Sequence, residues 1–202
     1  MNMPYRIYHH YWHHKKIYRD FLEKNKYLLK GPIADFGGGS GVWSKGLDAV
    51  NIDLGTDADM RADLHNLQPI KSNHFNSGIC VNVLEHLENP EKALKEMKRV
   101  LKDGSYLLFV VPFSQAVHKE DDRRRWTHIG LREMLSKYFK VVSIEAGEGI
   151  IPTFLSYVTQ MMWNRSHTKL FYSIYVVTNL ISLLTDWLKS LDTTNFYLAT
   201  CE

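Results

Sequence analysis

A chain of 202 residues with a formal charge of +3 and a pI near 8.7 fits a single domain around one core and leaves no room for a second full one. Its Lys and Arg residues are dispersed, so no dedicated nucleic-acid module is visible, and two cysteines, Cys80 in an apolar run and Cys201 near the C-terminus, suggest no disulfide framework. Met1–His14 is polar and aromatic without the apolar centre of a signal peptide, so a cytoplasmic setting is expected rather than export.

In chain order, Tyr5–Lys30 carries Ile7, Tyr11, Ile17, Phe21, Leu22 and Leu28 at approximately helical spacing and stops at Gly31-Pro32, which predicts a helical N-terminal cap over residues 1–30. An apolar strand at Ile33–Phe36 runs into a glycine-rich turn, then a short helix around Val42–Leu47 and a strand at Ala49–Asp53. A strand at Met60–Asp63, a polar loop and a buried strand at Ser77–Val83 follow. Asn89-Pro90-Glu91 starts a helix with proline in the first turn; Ala93, Leu94, Met97, Val100 and Leu101 form its buried stripe, and Asp103-Gly104 ends it. Tyr106–Val111 is a strand closed by Pro112, Thr127 caps a helix through Tyr138, and Val141–Glu145 is a strand broken by Gly147 and Gly149. From Ile150 to Leu191 the chain turns aromatic and aliphatic, before a last strand at Asn195–Thr200. Strands alternating with helices predict a mostly parallel sheet covered on both faces, with ligands at the strand C-termini.

The segment Ile33-Ala34-Asp35-Phe36-Gly37-Gly38-Gly39-Ser40-Gly41 is the most informative. Glycines after a strand let backbone N–H groups approach a ligand, because no Cβ intervenes and positive φ is permitted. The same turn could join strand to helix with no ligand. Asp53, ending the next strand, favours the ligand, since a carboxylate there can accept from both hydroxyls of a ribose. The spacing is G-x-G-x-G. Val42 stands where an NAD-type G-x-G-x-x-G would need glycine, and no Walker-type phosphate motif is present.

These residues resemble the class I S-adenosylmethionine-dependent methyltransferases over roughly residues 30 to 146. The resemblance implies a Rossmann-like, doubly wound α/β fold: a mostly parallel seven-stranded sheet with the helical N-terminal cap and a helical insertion before the last strand. Its cofactor would be S-adenosyl-L-methionine. Asp35, Gly37, Gly38, Gly39 and Gly41 match the family's first motif, Asp53 its ribose acid with Leu54 beside it, and Asp63-Leu64 the segment that contacts adenine. Asn82, Val83 and His86, within Val81-Asn82-Val83-Leu84-Glu85-His86-Leu87, match the stretch that passes the sulfonium and methionine moiety. Val100-Leu101-Lys102-Asp103-Gly104-Ser105 resembles the following helix-to-strand junction. Two departures are visible: only about a dozen residues separate Gly41 from Asp53, and Phe75-Asn76 stands where the family often has an aromatic followed by Asp.

Methyl transfer from a sulfonium is an in-line displacement that asks mainly for alignment, plus a general base where the acceptor loses a proton. His118, Asp122 and His128 follow the Tyr106–Val111 strand and are candidate bases, with Arg123–Arg125 as candidate holders of an anionic acceptor. The alternative is a solvated charged loop before the helix cap at Thr127. His86 is either a further candidate or a histidine packing a helix start. His9, His10, His13 and His14 include i,i+4 pairs that could bind a metal. Neither cysteine is near and the family chemistry needs no metal, so none is expected; Tyr8, Tyr11 and Trp12 form either a lid over the cofactor or a plain helix.

In the resembling family the last two strands usually form a direct hairpin, whereas here more than forty residues intervene. The uncharged run Leu170–Thr185, of about 16 residues, is shorter than a membrane span. Helices there are expected to lie over the strand C-termini as a lid, a homodimer surface or a membrane-surface contact, the last making the protein peripheral to a membrane. The acceptor expected is a small-molecule, sugar or lipid-linked substrate. A non-catalytic cofactor-binding partner and a nucleic-acid methyltransferase are the alternatives.

Overall fold

A computed structural model describes residues 12–115, 117, 120–163, 169–185, 194 and 196–202. Helix α1 (Trp12–Lys24) is followed by a 3-10 turn at Lys26–Leu28, so the expected cap helix breaks up before Gly31-Pro32; its predicted first residues lie outside the described ones. Seven strands follow: β1 (Ile33–Phe36), β2 (Ala49–Asp53), β3 (Met60–Arg61), β4 (Phe75–Val81), β5 (Leu101–Pro112), β6 (Val141–Ala146) and β7 (Phe196–Cys201). They form one sheet in the order β3-β2-β1-β4-β5-β7-β6. Pairing is parallel from β3 through β5, and β7 runs antiparallel between β5 and β6. Four more helices are α2 (Pro90–Val100), α3 (His128–Ser136), α4 (Ile150–Trp163) and α5 (Lys169–Thr185).

The period-2 alternation of the strands sorts the core into two layers. Ile79 and Val81 of β4, Leu108 and Val110 of β5, and Phe196 and Leu198 of β7 pack with Ile17, Tyr18, Phe21 and Leu22 of α1. Their strand neighbours Cys80, Leu107, Phe109, Val111, Tyr197, Ala199 and Cys201 face Ala93, Leu94 and Met97 of α2 and Leu131, Met134 and Leu135 of α3. Each such apolar side chain contributes on the order of 1.5–3 kcal/mol through burial, enough to fix α1 across one face and α2 and α3 across the other. The helix starts match their sequence signals. The Asn89 side chain accepts from Lys92 N–H at 3.0 Å, and Thr127 Oγ1 accepts from Gly130 N–H at 3.1 Å.

Two elements differ from expectation. No helix forms around Val42–Leu47: residues 39–46 run as consecutive turns, with φ of +67° at Gly41 and +87° at Gly46, because the short link leaves no length for a crossover helix. Helix α2 ends at Val100 rather than at Asp103-Gly104. Leu101 already pairs with Phe75, and Gly104 (φ +74°) lies within β5, where the pairing register shifts between Phe75 and Ser77.

The end of β6 and the start of β7 both lie at the C-terminal edge of the parallel strands, since Phe196 sits opposite Pro112. Helices α4 and α5 therefore rise from that edge. They pack on each other, α5 touches α1, and the Tyr157 hydroxyl of α4 lies 3.4 Å from Ser114 Oγ just past β5. Among the described residues no helix is long and apolar enough to cross a membrane.

Candidate functional site

The turn after β1 folds back over β2. Gly37 N–H donates to Ile52 O at 2.8 Å, Gly39 N–H donates to Asp53 Oδ2 at 3.0 Å, and the Asn51 amide donates to Gly39 O at 2.8 Å. Side chains at Gly37 and Gly38 have no room. A Cβ at Gly37 would come within 2.6 Å of Val83, and one at Gly38 within 2.4 Å of Asp35 Oδ2. Gly39, at φ +56°, has nothing within 4 Å of where a Cβ would stand, so the space over it is open to a ligand. Asp53 accepts from Gly39 N–H with one oxygen and from Gly55 N–H at 2.7 Å with the other. Four lone-pair sites on a carboxylate leave two for hydroxyls from outside. Leu54 next to it is 62% exposed, an apolar side chain turned outward at the same rim.

Asp35 is buried, and burial pushes its carboxyl up to about 6; a hydrogen bond from Ser44 opposes this, and the charges of Asp53 and Asp59 add to it. Asp35 Oδ2, Asn51 Oδ1 and Asn82 Oδ1 are buried acceptors with no partner among the described residues. Three unmet oxygens around one glycine turn call for a ligand rich in donors or positive charge.

On the β3 side, Leu64 is buried and Asp63 is exposed. The His65 N–H, at 2.9 Å, holds the Asp63 carboxyl below its usual range, and His65 Nδ1 adds a 2.7 Å contact. His65 Nε2 accepts from Asn89 N–H at 3.2 Å, so the segment is tied to the start of α2.

Past β4, Asn82 adopts φ +54° and Val83 packs against Gly37. Glu85 is fully buried, and His86 lies between it and Asp121, with Nε2 3.6 Å from Glu85 Oε1 and Nδ1 3.1 Å from Asp121 Oδ1. The segment after β5 folds against this stretch. Arg123 N–H donates to Glu85 O at 3.0 Å, Arg123 Nη2 reaches Glu88 at 3.3 Å, and Arg124 caps the carbonyls of Leu87 and Glu88. Arg125 grips both oxygens of the buried Asp122, with Nη2 2.6 Å from Oδ2.

In these contacts Arg124 and Arg125 hold the segment through carbonyls and Asp122, while Arg123, expected with them to hold an anionic acceptor, reaches Glu88 with its side chain still 45% exposed. Asp122, expected as a base, is the buried anchor of that clamp, because both its oxygens are taken. His128 opens α3 with its ring edge-on to Tyr197, 6.3 Å between centroids. His118 lies outside the described residues, as do His9 and His10 and the side chains of His13 and His14. Sequence reasoning missed Asn51, Tyr18 and Glu85. Asn51 was findable as the polar residue one pleat before Asp53, whereas Tyr18 merges into the apolar stripe of α1.

Asp53 on β2, the glycine turn after β1 and Asn82 past β4 follow one another along neighbouring strand ends, in the sheet order β2-β1-β4. That line suits an elongated ligand with a ribose at one end and positive charge at the other. S-adenosylmethionine fits it: its ribose would meet Asp53 on β2, and its positively charged end, toward β1 and β4, would answer the unmet oxygens of Asp35 and Asn82.

A family model described as a methyltransferase domain matches residues 11–146. The ubiquinone biosynthesis O-methyltransferase of Paraburkholderia phymatum is 26% identical over 110 residues, covering 44% of this chain and 47% of that protein. The chain spans about a quarter and about half the length of the two curated relatives it matches, 23% and 47%. Among solved structures, the cyclase SpnF superposes with a TM-score of 0.65 at 16% identity, covering 93% of this chain and 80% of that one. A methyltransferase of Thermotoga maritima, described as a possible histamine N-methyltransferase, gives 0.61 at 18% identity, covering 95% and 91%.

Proposed function

Because this chain belongs to the methyltransferase-domain family, we propose that it binds S-adenosylmethionine along the edge from Asp53 to Asn82 and transfers its methyl group to a small-molecule, sugar or lipid-linked acceptor. The observation that carries the reading is the Gly39–Asp53 contact beside three unmet buried acceptor oxygens, which supplies both a ribose site and a seat for positive charge. When bound, the cofactor supplies a methyl carbon on a sulfonium. The chain's part is alignment: Gly37–Gly39 admit the ligand to backbone contact, Asp53 fixes the ribose, and the segment past β4 holds the far end.

The acceptor side lies between the segment past β5, clamped by Arg124 and Arg125, and helices α4 and α5. A hydroxyl acceptor is supported by the relative named as an O-methyltransferase, and an apolar or lipid-linked one by the exposed Phe154 and Ile150 on α4. His118 remains the proposed base, from its place in the sequence after β5. The likeness to a cyclase at low identity makes turnover the thing to measure. Protein incubated with methyl-labelled S-adenosylmethionine and fractionated cell extract is expected to label a small-molecule or lipid fraction. Label confined to nucleic acid or protein, or no transfer despite cofactor binding, would overturn the reading.

A further inference from the structure

Helix α5, and with it the start of α4, reverses the usual sorting of side chains. On α5, Val176, Val177, Leu180, Ile181 and Leu184 recur at i, i+1, i+4, i+5 and i+8, which puts them on one face, and all five are exposed, from 38% at Ile181 to 76% at Leu184. Thr178 and Ser182 of the same helix are buried. On α4, Ile150 and Phe154 are exposed while Thr153 and Ser156 are buried. The buried hydroxyls bond to backbone of their own helix or its first turn: Thr153 Oγ1 donates to Gly149 O at 3.0 Å, Ser156 Oγ to Thr153 O at 2.8 Å and Ser182 Oγ to Thr178 O at 2.8 Å. A helix facing water sorts the other way, with its apolar side chains inward.

Charge says what fits over such a face. The run Leu170–Thr185 carries none, Arg165 and Lys169 precede it in the sequence and Lys189 follows, and Asp186 is the one acid between Arg165 and Lys189. Helix α1, which touches α5, adds to the positive side. Its acids are answered, Asp20 by Lys16 and Glu23 by Lys26 at 3.6 Å, and Lys24 reaches Glu145 at 3.1 Å. Lys15 and Arg19, one turn apart on α1, have no ion pair among the described residues, and Arg19 is exposed. An uncharged apolar stripe bordered by unanswered cations is the pattern of an amphipathic segment that rests on anionic lipid. A second copy of the chain would bring the same positive set to the contact, so charge favours an anionic surface over self-association.

We propose that the exposed face of α5, with Ile150 and Phe154 of α4, seats the protein on the surface of an anionic membrane, its apolar side chains among the acyl chains and Lys15 and Arg19 toward the headgroups. Among the described residues no helix is long and apolar enough to cross the bilayer, so the contact lies along its surface. Helices α4 and α5 rise from the sheet edge that carries the glycine turn and Asn82, so docking there brings a lipid-linked acceptor to the side on which the cofactor is proposed. The docking stands apart from the cofactor reading and goes beyond it.

The test sediments the full chain with vesicles of phosphatidylcholine alone and of phosphatidylcholine mixed with phosphatidylglycerol. Wild type is expected to bind the mixed vesicles about fivefold or more tightly than the neutral ones and to lose that preference at high salt. Leu180→Asp combined with Leu184→Asp, at two exposed positions, is expected to weaken binding to the mixed vesicles about tenfold or more, with a wild-type circular dichroism spectrum and S-adenosylhomocysteine affinity within about 2-fold. Lys15→Gln combined with Arg19→Gln should remove the preference for anionic vesicles. Wild type that binds neither vesicle, or leucine variants that bind like wild type, would overturn the proposal. So would a wild-type dimer in equilibrium sedimentation that the leucine variants convert to monomer, since a second copy would then cover the face. Vesicle binding by a wild type that takes no S-adenosylhomocysteine would sink the cofactor reading and leave the docking intact.

Discussion

Asp53 holds the glycine turn with both its oxygens, and under the proposed cofactor reading the same oxygens take the ribose, so its removal would loosen the loop as well as lose the ribose contacts. Asp53→Ala is therefore expected to weaken S-adenosylmethionine by at least about 1.5–3 kcal/mol, measured on folded protein, and unchanged affinity would remove Asp53 from the site. Gly39→Val puts a β-branched residue at φ +56°, a strain confined to the turn because no protein atom stands within 4 Å of the added Cβ, so the circular dichroism spectrum is expected to stay largely native while cofactor binding is lost; normal binding would place the ligand elsewhere. Asp35 gives a pH test. Its pKa is raised from 3.8 to about 6 in the folded state, so the unfolded chain gives up this proton first as pH rises. Folded-state stability thus falls between those two values, by about 1.4 kcal/mol per unit, and stays reduced above the upper one. Asp35→Asn should raise the stability of ligand-free protein at pH 7.5 and change it little at pH 4, as read by urea unfolding; a gain of equal size at both values would contradict the assignment. The glycine turn beside Asp53 was legible because a strand, glycines and an acid at that spacing are local signals, whereas Glu85 was not, since burial cannot be read from a polar letter.

At the level of elements, Asp122–Arg125 is the contact on which the segment past β5 depends. Arg125→Ala removes the two-pronged partner of a carboxylate whose side chain has 0% exposure, so it is expected to destabilise the fold by up to roughly 3–5 kcal/mol, measured by chemical unfolding; a cost under about 1 kcal/mol would mean the clamp is not structural. Strands and caps were legible here, as β1 and the caps Asn89 and Thr127 illustrate, because periodicity and capping are local signals. The helix after the glycine turn was not. The link from Gly41 to Asp53 is short for the family, leaving a helix of about two turns or an irregular stretch, and Gly41 and Gly46 in left-handed conformations turn the chain instead. The arginine run looked like a ligand site because a sequence does not reveal that Leu87, Glu88 and Asp122 lie within its reach.

The whole molecule reads as a sheet with its chemistry at one edge: the glycine turn, Asn82, the clamped segment and the helical insertion all emerge from the C-terminal ends of parallel strands. Parallel order was legible from alternating strands and helices, but the placement of β7 between β5 and β6 was not, since no local pattern specifies strand order. Under the proposed cofactor reading a ligand along that edge would tie β1, β2 and β4 together, so saturating it at 100 times Kd should raise stability by about 2.7 kcal/mol. The most direct test is a calorimetric titration of S-adenosylhomocysteine into the wild-type chain and into folded Asp53→Ala. The account predicts saturable binding at one site per chain, weakened about tenfold or more in the variant. Absence of saturable binding to the wild type, or equal affinity in the two proteins, would contradict it.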